Sequence, residues 1–344
     1  MKLRGETLQP KRSCIIRVRM RRFPKGPMQT RSSQLPRVQS ISKWLAVYAE
    51  LGKVRLGSLV VLTATVGYAL GAHAGAFSWT ALLALGLGTL LAAAGANTFN
   101  QWLEIERDAR MHRTRTRPLP TGRITRRHAL ALALGESLLG TGLLAAACNL
   151  LTAGLALAVI VLYAVVYTPL KPRTSLNTLV GAVCGAVPPM MGWAAARGSL
   201  DAGAWVLAAT LFVWQVPHFL ALAWLYREDY VRGGYRMLPI SDPSGTVTCS
   251  MALLYSLALV PVGLAASAAG MAGWIYAVGA VLLGGVMIER SLRLLRRRTD
   301  RAARHVFWAS LAYLPLLLGL MIADAAPHSP PTPASRSAAV QLAR

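Results

Sequence analysis

The chain has 344 residues, of which 54% are hydrophobic and 15% are charged, with 37 Lys and Arg against 13 Asp and Glu. So large an apolar fraction is typical of a membrane protein rather than of a soluble domain. The net charge of +24 does not indicate nucleic-acid binding, because the basic residues lie between long apolar runs and no nucleic-acid-binding motif is present. Nucleic acid is therefore excluded as a predicted partner.

The first 40 residues form a basic segment that we separate from the fold. They hold eleven Lys and Arg and a single acid. A mitochondrial presequence has this composition, and so has an extended or misassigned bacterial start, since Met20 and Met28 could also initiate translation. We predict a disordered basic extension or presequence over residues 1–40, a membrane domain over residues 41–324 and a disordered tail, rich in Pro, Ser and Ala, over residues 325–344.

Nine apolar windows beyond this segment are long enough to cross a bilayer. They are residues 56–74, 80–99, 128–147, 150–168, 177–196, 203–225, 247–268, 271–288 and 305–323. Of the 26 Lys and Arg beyond residue 40, 23 fall in the loops on one side of the predicted membrane. The positive-inside rule then places the amino terminus inside and the carboxyl terminus outside. We predict an all-α membrane protein, a bundle of nine transmembrane helices.

The inner loop after the second span carries the most informative polar residues. Asn100, Glu104 and Asp108 are four residues apart, so a helix would align them along one face. Oxygen ligands of this kind suit Mg²⁺, and the arginines that follow suit phosphate. These arginines are Arg110, Arg113, Arg115 and Arg117. The spacing alone leaves open a diphosphate–Mg²⁺ site and an ordinary solvated polar loop.

The third to fifth spans contain polar or helix-breaking residues at membrane depth. Glu136 is either a functional carboxyl or one that is hydrogen-bonded to a neighbouring helix. Gly181 and Gly185 have the spacing of a close helix contact. Pro188 and Pro189 predict a break in the fifth span, which would make it a cavity wall or a kinked packing helix.

The inner ends of the fourth and sixth spans offer further candidate residues. Lys171 and Arg173 are either phosphate ligands or inner-face anchors. His218, inside an apolar segment, is either a packing residue or a ligand. Asp229 offers a second acidic position on the same side of the membrane as Asp108, so the two could bind metal ions around one diphosphate.

The stretch from Asn100 to Gly122 resembles the first signature of the UbiA-type intramembrane prenyltransferases. Further stretches resemble the signatures of the subfamily that farnesylates haem B: Tyr167-Thr168-x-Leu170-Lys171, Asn177, Gly185-Ala-x-Pro188-Pro189-xx-Gly192-Trp193, Trp214-Gln215-x-Pro217-His218-Phe219 and Asp229-Tyr230-xx-Gly233. The resemblance spans residues 45–325 in order and implies the nine-helix bundle of this family.

The resemblance also implies a reaction and a role for each candidate residue. Farnesyl diphosphate, haem B and water would give haem O and diphosphate in a Mg²⁺-dependent prenyl transfer, with haem A synthase or oxidase assembly factors as possible partners. The implied metal ligands, which are also the catalytic residues, are Asn100, Glu104, Asp108 and Asp229. The implied diphosphate ligands are Arg113, Arg117, Lys171 and Arg173. The implied residues of the cation and haem cavity are Tyr163, Tyr167, Trp214 and His218.

Two positions depart from the family's pattern. Its first motif usually has Asp where this chain has Glu104, and the second motif of the wider superfamily has Asp where this chain has Leu225. Asp229 would then be the only aspartate of the second motif, and Glu228 or His218 would have to assist it in binding the metal ion.

Three other functions stay open at this point: prenylation of a quinone precursor, secondary transport, and noncatalytic carriage of haem. The bacterial inner membrane is favoured as the location, with the mitochondrial inner membrane as the alternative, and membrane lipid is a predicted partner.

Overall fold

The computed structural model describes residues 41–72 and 77–325 of the chain. The predictions of a basic extension over residues 1–40 and of a disordered tail after residue 325 fall outside these described residues. Within them the secondary structure is helical, apart from one isolated bridge between Ala272 and Ala325. The helices are α1 (Ile41–Leu51), α2 (Val54–Gly71), α3 (Trp79–Leu103), α4 (Ile105–Asp108), α5 (Arg126–Ala147), α6 (Leu150–Val161), a π-helical turn (Leu162–Tyr167), α7 (Thr168–Leu170), α8 (Asn177–Arg197), α9 (Ala202–Leu225), α10 (Arg227–Arg232), α11 (Leu238–Ser241), α12 (Thr246–Ala268), α13 (Trp274–Arg297) and α14 (Asp300–Ala323).

The predicted bundle of membrane-spanning helices is confirmed. Across the described ranges, nine helical segments are long and apolar enough to cross a bilayer, and each contains or overlaps one of the nine predicted windows. The helices run beyond the windows most in three spans, where α3 extends to Leu103, α13 extends to Arg297 and α14 begins at Asp300. Hydropathy marks only the apolar part of a helix, whereas the backbone hydrogen bonds continue through the charged turns beside it.

The spans pack as two connected groups. In the first group α2 packs against α3 and α8, and α3 packs against α5. In the second group α9 packs against α8, α12 and α14, while α13 lies between α12 and α14. Large apolar side chains cover the outside: Leu83 and Leu138 are each 70% exposed. An apolar outer surface of this kind requires lipid around it, because water would not solvate it favourably.

The predicted break at Pro188 and Pro189 is wrong. Helix α8 continues from Asn177 to Arg197 through both prolines, which are buried. A Cβ atom at Gly67 of α2 would overlap the Pro189 carbonyl, so the missing side chain is what lets α2 approach α8 there. The fifth span is therefore a packing helix, because close contact with α2 covers the backbone around the prolines.

Gly192 of α8 makes the second close contact with α2, and it provides a test of this packing. A Cβ atom at Gly192 would overlap the carbonyl oxygen of Ala64 and the backbone nitrogen of Tyr68. We therefore expect Gly192→Ala to reduce the free energy of unfolding by about 1–3 kcal/mol, since both obstacles are backbone atoms that cannot rotate away. Thermal unfolding of the purified protein in detergent measures the change.

Gly142→Ala is the matched control for this substitution. Gly142 is an exposed helical glycine of α5, and a Cβ atom there would meet nothing within 4 Å. Alanine favours a helix more than glycine does, so this variant should be as stable as the wild type or slightly more stable. Equal stability of the two alanine variants would contradict the close approach of α2 and α8.

Candidate functional site

A cluster of charged and amide side chains lies where α3, α4 and the turn after α7 meet at one end of the bundle. We call it the polar cluster, and its members are Lys53, Asn100, Glu104, Asp108, Arg117 and Lys171. Apart from Lys53 and Arg117 these residues are buried, with exposed fractions of 8% or less. Charged groups are rarely so buried unless they are paired or hold a ligand.

Glu104 and Lys171 form the centre of the polar cluster. The Lys171 Nζ atom lies 2.9 Å from Glu104 Oε1 and donates a hydrogen bond of 3.1 Å to Oε2. Asn100 Nδ2 donates to Glu104 Oε2 at 2.8 Å and to the Thr168 hydroxyl at 3.0 Å. Burial tends to lower the pKa of Lys171, but the Glu104 carboxylate outweighs it and the pKa is raised. Lys171 is therefore a fixed positive charge at neutral pH.

Asp108 lies one helical turn beyond Glu104 and keeps one oxygen unpaired. Its Oδ2 atom accepts a 2.7 Å hydrogen bond from Arg117, whereas Oδ1 is buried and has no hydrogen-bond partner among the described residues. The Thr114 hydroxyl donates to the Asp108 carbonyl at 2.9 Å, which closes the loop so that Arg117 returns to the carboxylate. Burial raises the pKa of Asp108 despite the opposing charge of Arg117.

Asp229 supports the loop that carries the arginines. Its two carboxylate oxygens accept hydrogen bonds from the backbone nitrogens of His112 and Arg113 at 3.0 and 3.1 Å, and Arg232 adds a third at 3.2 Å. Burial alone would raise the pKa of Asp229, but these hydrogen bonds and charges lower it. The structure thus places Asp229 beside the loop from the first motif, with both oxygens engaged.

The four predicted diphosphate ligands are not equivalent. Arg117 and Lys171 belong to the polar cluster. Arg113 lies over the rings of Tyr226 and Tyr230, at 5.0 and 5.9 Å from their centroids. Arg173 is exposed. The geometry therefore brings two of the four together with the acids.

Lys53 is a member of the polar cluster that sequence reasoning treated only as part of the basic inner loop. It is partly buried, and its Nζ atom lies 3.3 Å from Asn100 Oδ1. Burial lowers the pKa of Lys53 to about 7, and repulsion from Arg117 and Lys171 acts in the same direction. Its only sequence signal is a position directly before the first span.

The remaining candidates lie on the spans themselves. The rings of Tyr163 and Tyr167 are 5.0 Å apart, and Lys171 Nζ is 4.7 Å from the Tyr167 ring, so these tyrosines border the polar cluster. Trp214 and His218 stack on each other on α9 and form a separate aromatic group. Glu136 accepts a 3.2 Å hydrogen bond from Thr98 of α3, which agrees with the interpretation of a carboxyl bonded to a neighbouring helix.

The polar cluster suits Mg²⁺ only in company with a phosphate ligand. Within residues 41–72 and 77–325, no three His, Cys, Asp or Glu side chains are grouped to hold a metal ion. Mg²⁺ commonly needs only one or two carboxylates besides substrate phosphates and water, however. The unpaired Oδ1 atom of Asp108, with Glu104 one turn away, meets that requirement.

The fold and the polar cluster define an integral-membrane protein with a charged site at one end of a helical bundle. The sequence model of the UbiA prenyltransferase family matches residues 60–331, and the chain belongs to this family. It is 43% identical over 286 residues to a protein of Solibacter usitatus named protoheme IX farnesyltransferase, covering 80% of this chain and 98% of that protein. It is 45% identical to the mitochondrial protein of that name from Arabidopsis thaliana, covering 80% of this chain and 64% of the longer relative.

Solved structures share the fold at lower identity. A digeranylgeranylglyceryl phosphate synthase superposes with a TM-score of 0.70 at 17% identity, covering 82% of this chain and 98% of that one. A UbiA homologue from Archaeoglobus fulgidus bound to GPP and Mg²⁺ has a TM-score of 0.56 at 15% identity, covering 80% and 99%. The predicted all-α bundle of the UbiA type is therefore confirmed.

The buried pair of Lys171 and Glu104 leads to a prediction about stability. Lys171→Met would leave the Glu104 carboxylate buried without its cation, so we expect the free energy of unfolding to fall by about 3–5 kcal/mol. The double variant Lys171→Met with Glu104→Gln removes both charges and should recover most of that loss. Thermal unfolding in detergent of the two single variants and the double variant gives the coupling between the residues.

An exposed ion pair of the same chain serves as the control. Arg126 and Glu106 are 3.6 Å apart, and their side chains are 61% and 77% exposed. Arg126→Met should therefore change the free energy of unfolding by less than about 1 kcal/mol. If Lys171→Met lowered the free energy of unfolding by no more than Arg126→Met does, the buried pair would not hold the cluster together.

Proposed function

We propose that the protein transfers the farnesyl group of farnesyl diphosphate to a vinyl group of haem B, with addition of water, to give haem O and diphosphate. The observation that carries this proposal is the likeness to relatives named protoheme IX farnesyltransferase over 80% of the chain, bacterial and mitochondrial alike. The polar cluster supports it, because it combines fixed cations with partly unpaired acid groups beside apolar helices.

The cations of the polar cluster would bind the diphosphate. Arg117 offers a planar guanidinium for bidentate contact with phosphate oxygens, and Lys53 and Lys171 add point charges beside it. Mg²⁺ held by Glu104 and Asp108, with Asn100 and Asp229 as the further predicted ligands, would neutralise charge that develops on the leaving diphosphate. Arg113 and Arg173, which lie farther out, would attract the anion as it approaches.

Ionisation breaks the bond between C1 of the farnesyl group and the diphosphate oxygen, and the electron pair leaves with the diphosphate. The terminal vinyl carbon then bonds to C1. Water adds to the inner vinyl carbon and loses a proton, which leaves a hydroxyl group there. The rings of Tyr163 and Tyr167 border the cluster and would stabilise the allylic cation through their π faces. The apolar helices exclude other water from it.

We further propose that the site faces the inner side of the membrane. The loops that build the polar cluster lie on the side that carries 23 of the 26 Lys and Arg beyond residue 40, and the positive-inside rule orients that side inward. We favour the bacterial inner membrane over the mitochondrial one, and expect a haem A synthase or an oxidase assembly factor to receive the product.

The first test is a membrane assay with Mg²⁺, farnesyl diphosphate and haem B, followed by chromatography and mass spectrometry of the pigments. Wild-type membranes should form hydroxyethylfarnesyl haem and release diphosphate. Asp108→Asn should lower the rate at least about 100-fold, because it removes a carboxylate that faces the leaving group. Farnesylation of an added quinone precursor with haem unchanged would show that the acceptor is the quinone precursor and not haem B. Transport of haem without release of diphosphate would instead favour a noncatalytic carrier.

The second test separates the charge of Lys53 from its backbone conformation. Lys53 has a φ of 49°, in the left-handed region where glycine is favoured, so Lys53→Gly should fold normally. We expect the KM for farnesyl diphosphate to rise about tenfold or more, which corresponds to the loss of one charge-assisted hydrogen bond. Steady-state kinetics at fixed haem B measures this effect.

Arg298→Gly is the matched control, since Arg298 also has a φ of 49°. Arg298 lies at the end of α13, where it donates to the Ser244 carbonyl at 3.1 Å, and it contacts none of the acids of the polar cluster. Its glycine variant should keep the wild-type KM. The same rise in KM in both variants would show that Lys53 does not bind the diphosphate directly.

A further inference from the structure

His218 on α9 is held in one orientation by two aromatic rings. The Trp214 ring stacks on it at a centroid distance of 5.3 Å and an interplanar angle of 21°. On α14, the Phe307 ring stacks at 5.0 Å and 25°. The imidazole plane is therefore fixed by contacts with two different helices.

A hydrogen bond to Ser310 determines which ring nitrogen carries the proton. His218 Nδ1 lies 2.9 Å from the Ser310 hydroxyl oxygen, and that hydroxyl lies 2.7 Å from the Phe307 carbonyl oxygen. A hydroxyl has one hydrogen, and two acceptor oxygens at 2.7 Å repel each other unless that hydrogen lies between them. The Ser310 hydroxyl must therefore donate to Phe307 and accept from His218, which places the imidazole proton on Nδ1.

The other ring nitrogen, Nε2, is then unprotonated and has a free lone pair. Nε2 of His218 has no hydrogen-bond partner among the described residues, and the side chain is only partly buried. Ser310 itself is fully buried, and its carbonyl accepts a 2.7 Å hydrogen bond from Trp214 Nε1. One residue of α14 thus positions both aromatic side chains and fixes the tautomer of the histidine.

This arrangement is the one that proteins use for histidine ligands of metals. In such sites the free imidazole nitrogen binds the metal, and the other nitrogen donates its proton to a neighbouring oxygen that orients the ring. His218 lies seven residues before Leu225, the last residue of α9, and so about 10 Å along the helix axis from the inner end. A planar ligand bound there would lie among apolar helices.

We propose that Nε2 of His218 is an axial ligand to the iron of the haem acceptor, with Ser310 as the residue that orients the ring. The inference rests on the proposed function, because it assigns a binding residue to the acceptor of that reaction. Iron ligation would fix the macrocycle in its site, so that the same vinyl group is presented in each turnover.

Titration of the purified protein with ferric haem B, in the absence of farnesyl diphosphate, tests this proposal. The wild type should show the absorption and paramagnetic-resonance spectra of histidine-ligated haem. His218→Gln keeps a group that can hydrogen-bond to Ser310 but lacks the imidazole, so haem B should bind at least about tenfold more weakly and without the histidine signature. Added imidazole should restore the ligated spectrum. Ser310→Ala should retain ligation but weaken haem binding by up to about tenfold, as expected for an orienting partner.

His305→Gln is the control, because His305 is an exposed histidine of the same helix as Ser310 and should leave the spectrum unchanged. An unchanged spectrum and affinity in His218→Gln would overturn the proposal. If that variant does not fold, resonance Raman spectra of the wild type decide through the presence or absence of an iron–histidine band. Farnesylation of haem by a wild type that lacks histidine ligation would overturn the inference and leave the function intact. Histidine ligation without release of diphosphate would keep the binding site and overturn the function.

Discussion

The burial of Glu104 against Lys171 is the constraint on which the rest of the polar cluster depends. Two opposite charges removed from water are stable only when their remaining hydrogen-bonding atoms are also satisfied. The Asn100 amide nitrogen donates to Glu104 at 2.8 Å and to the Thr168 hydroxyl at 3.0 Å, so this amide supports the carboxylate and links α3 to α7. Because Glu104 and Lys171 follow different spans, the pair also ties the ends of those two spans together. A charged site can therefore exist at the edge of a bundle that is otherwise apolar.

The polar cluster contains charged groups that are fully paired within the protein and others that have no complete partner and could bind a substrate. Glu104 is paired with Lys171, and Asp108 is paired with Arg117 through one oxygen only. Lys53 is close to an amide rather than a carboxylate, and burial lowers its pKa to about 7. The unpaired carboxylate oxygen and the poorly compensated lysine suit a bound cation and a bound anion respectively. This is the asymmetry that a diphosphate with its counterion would complete.

Most of the fold and about half of the site could be predicted from the sequence. The apolar runs predicted the nine spans that residues 41–72 and 77–325 contain, and the spacing of Asn100, Glu104 and Asp108 predicted their common location. The break predicted at Pro188 and Pro189 was wrong, since Gly67 lets α2 cover that part of α8. Local propensity assigns prolines to helix ends, whereas a close neighbouring helix can accommodate them inside.

The sequence by itself determined the number of spans, the end of the bundle at which the charges gather, and the family to which the motifs belong. These follow from hydropathy, from the distribution of Lys and Arg, and from local spacing, none of which requires distant contacts. Only the tertiary structure decided that Lys53 joins Asn100, that Asp229 supports the backbone at His112, and that Ser310 sets the tautomer of His218. Each of those contacts joins residues more than 40 positions apart in the chain, so it exists only once the helices have packed.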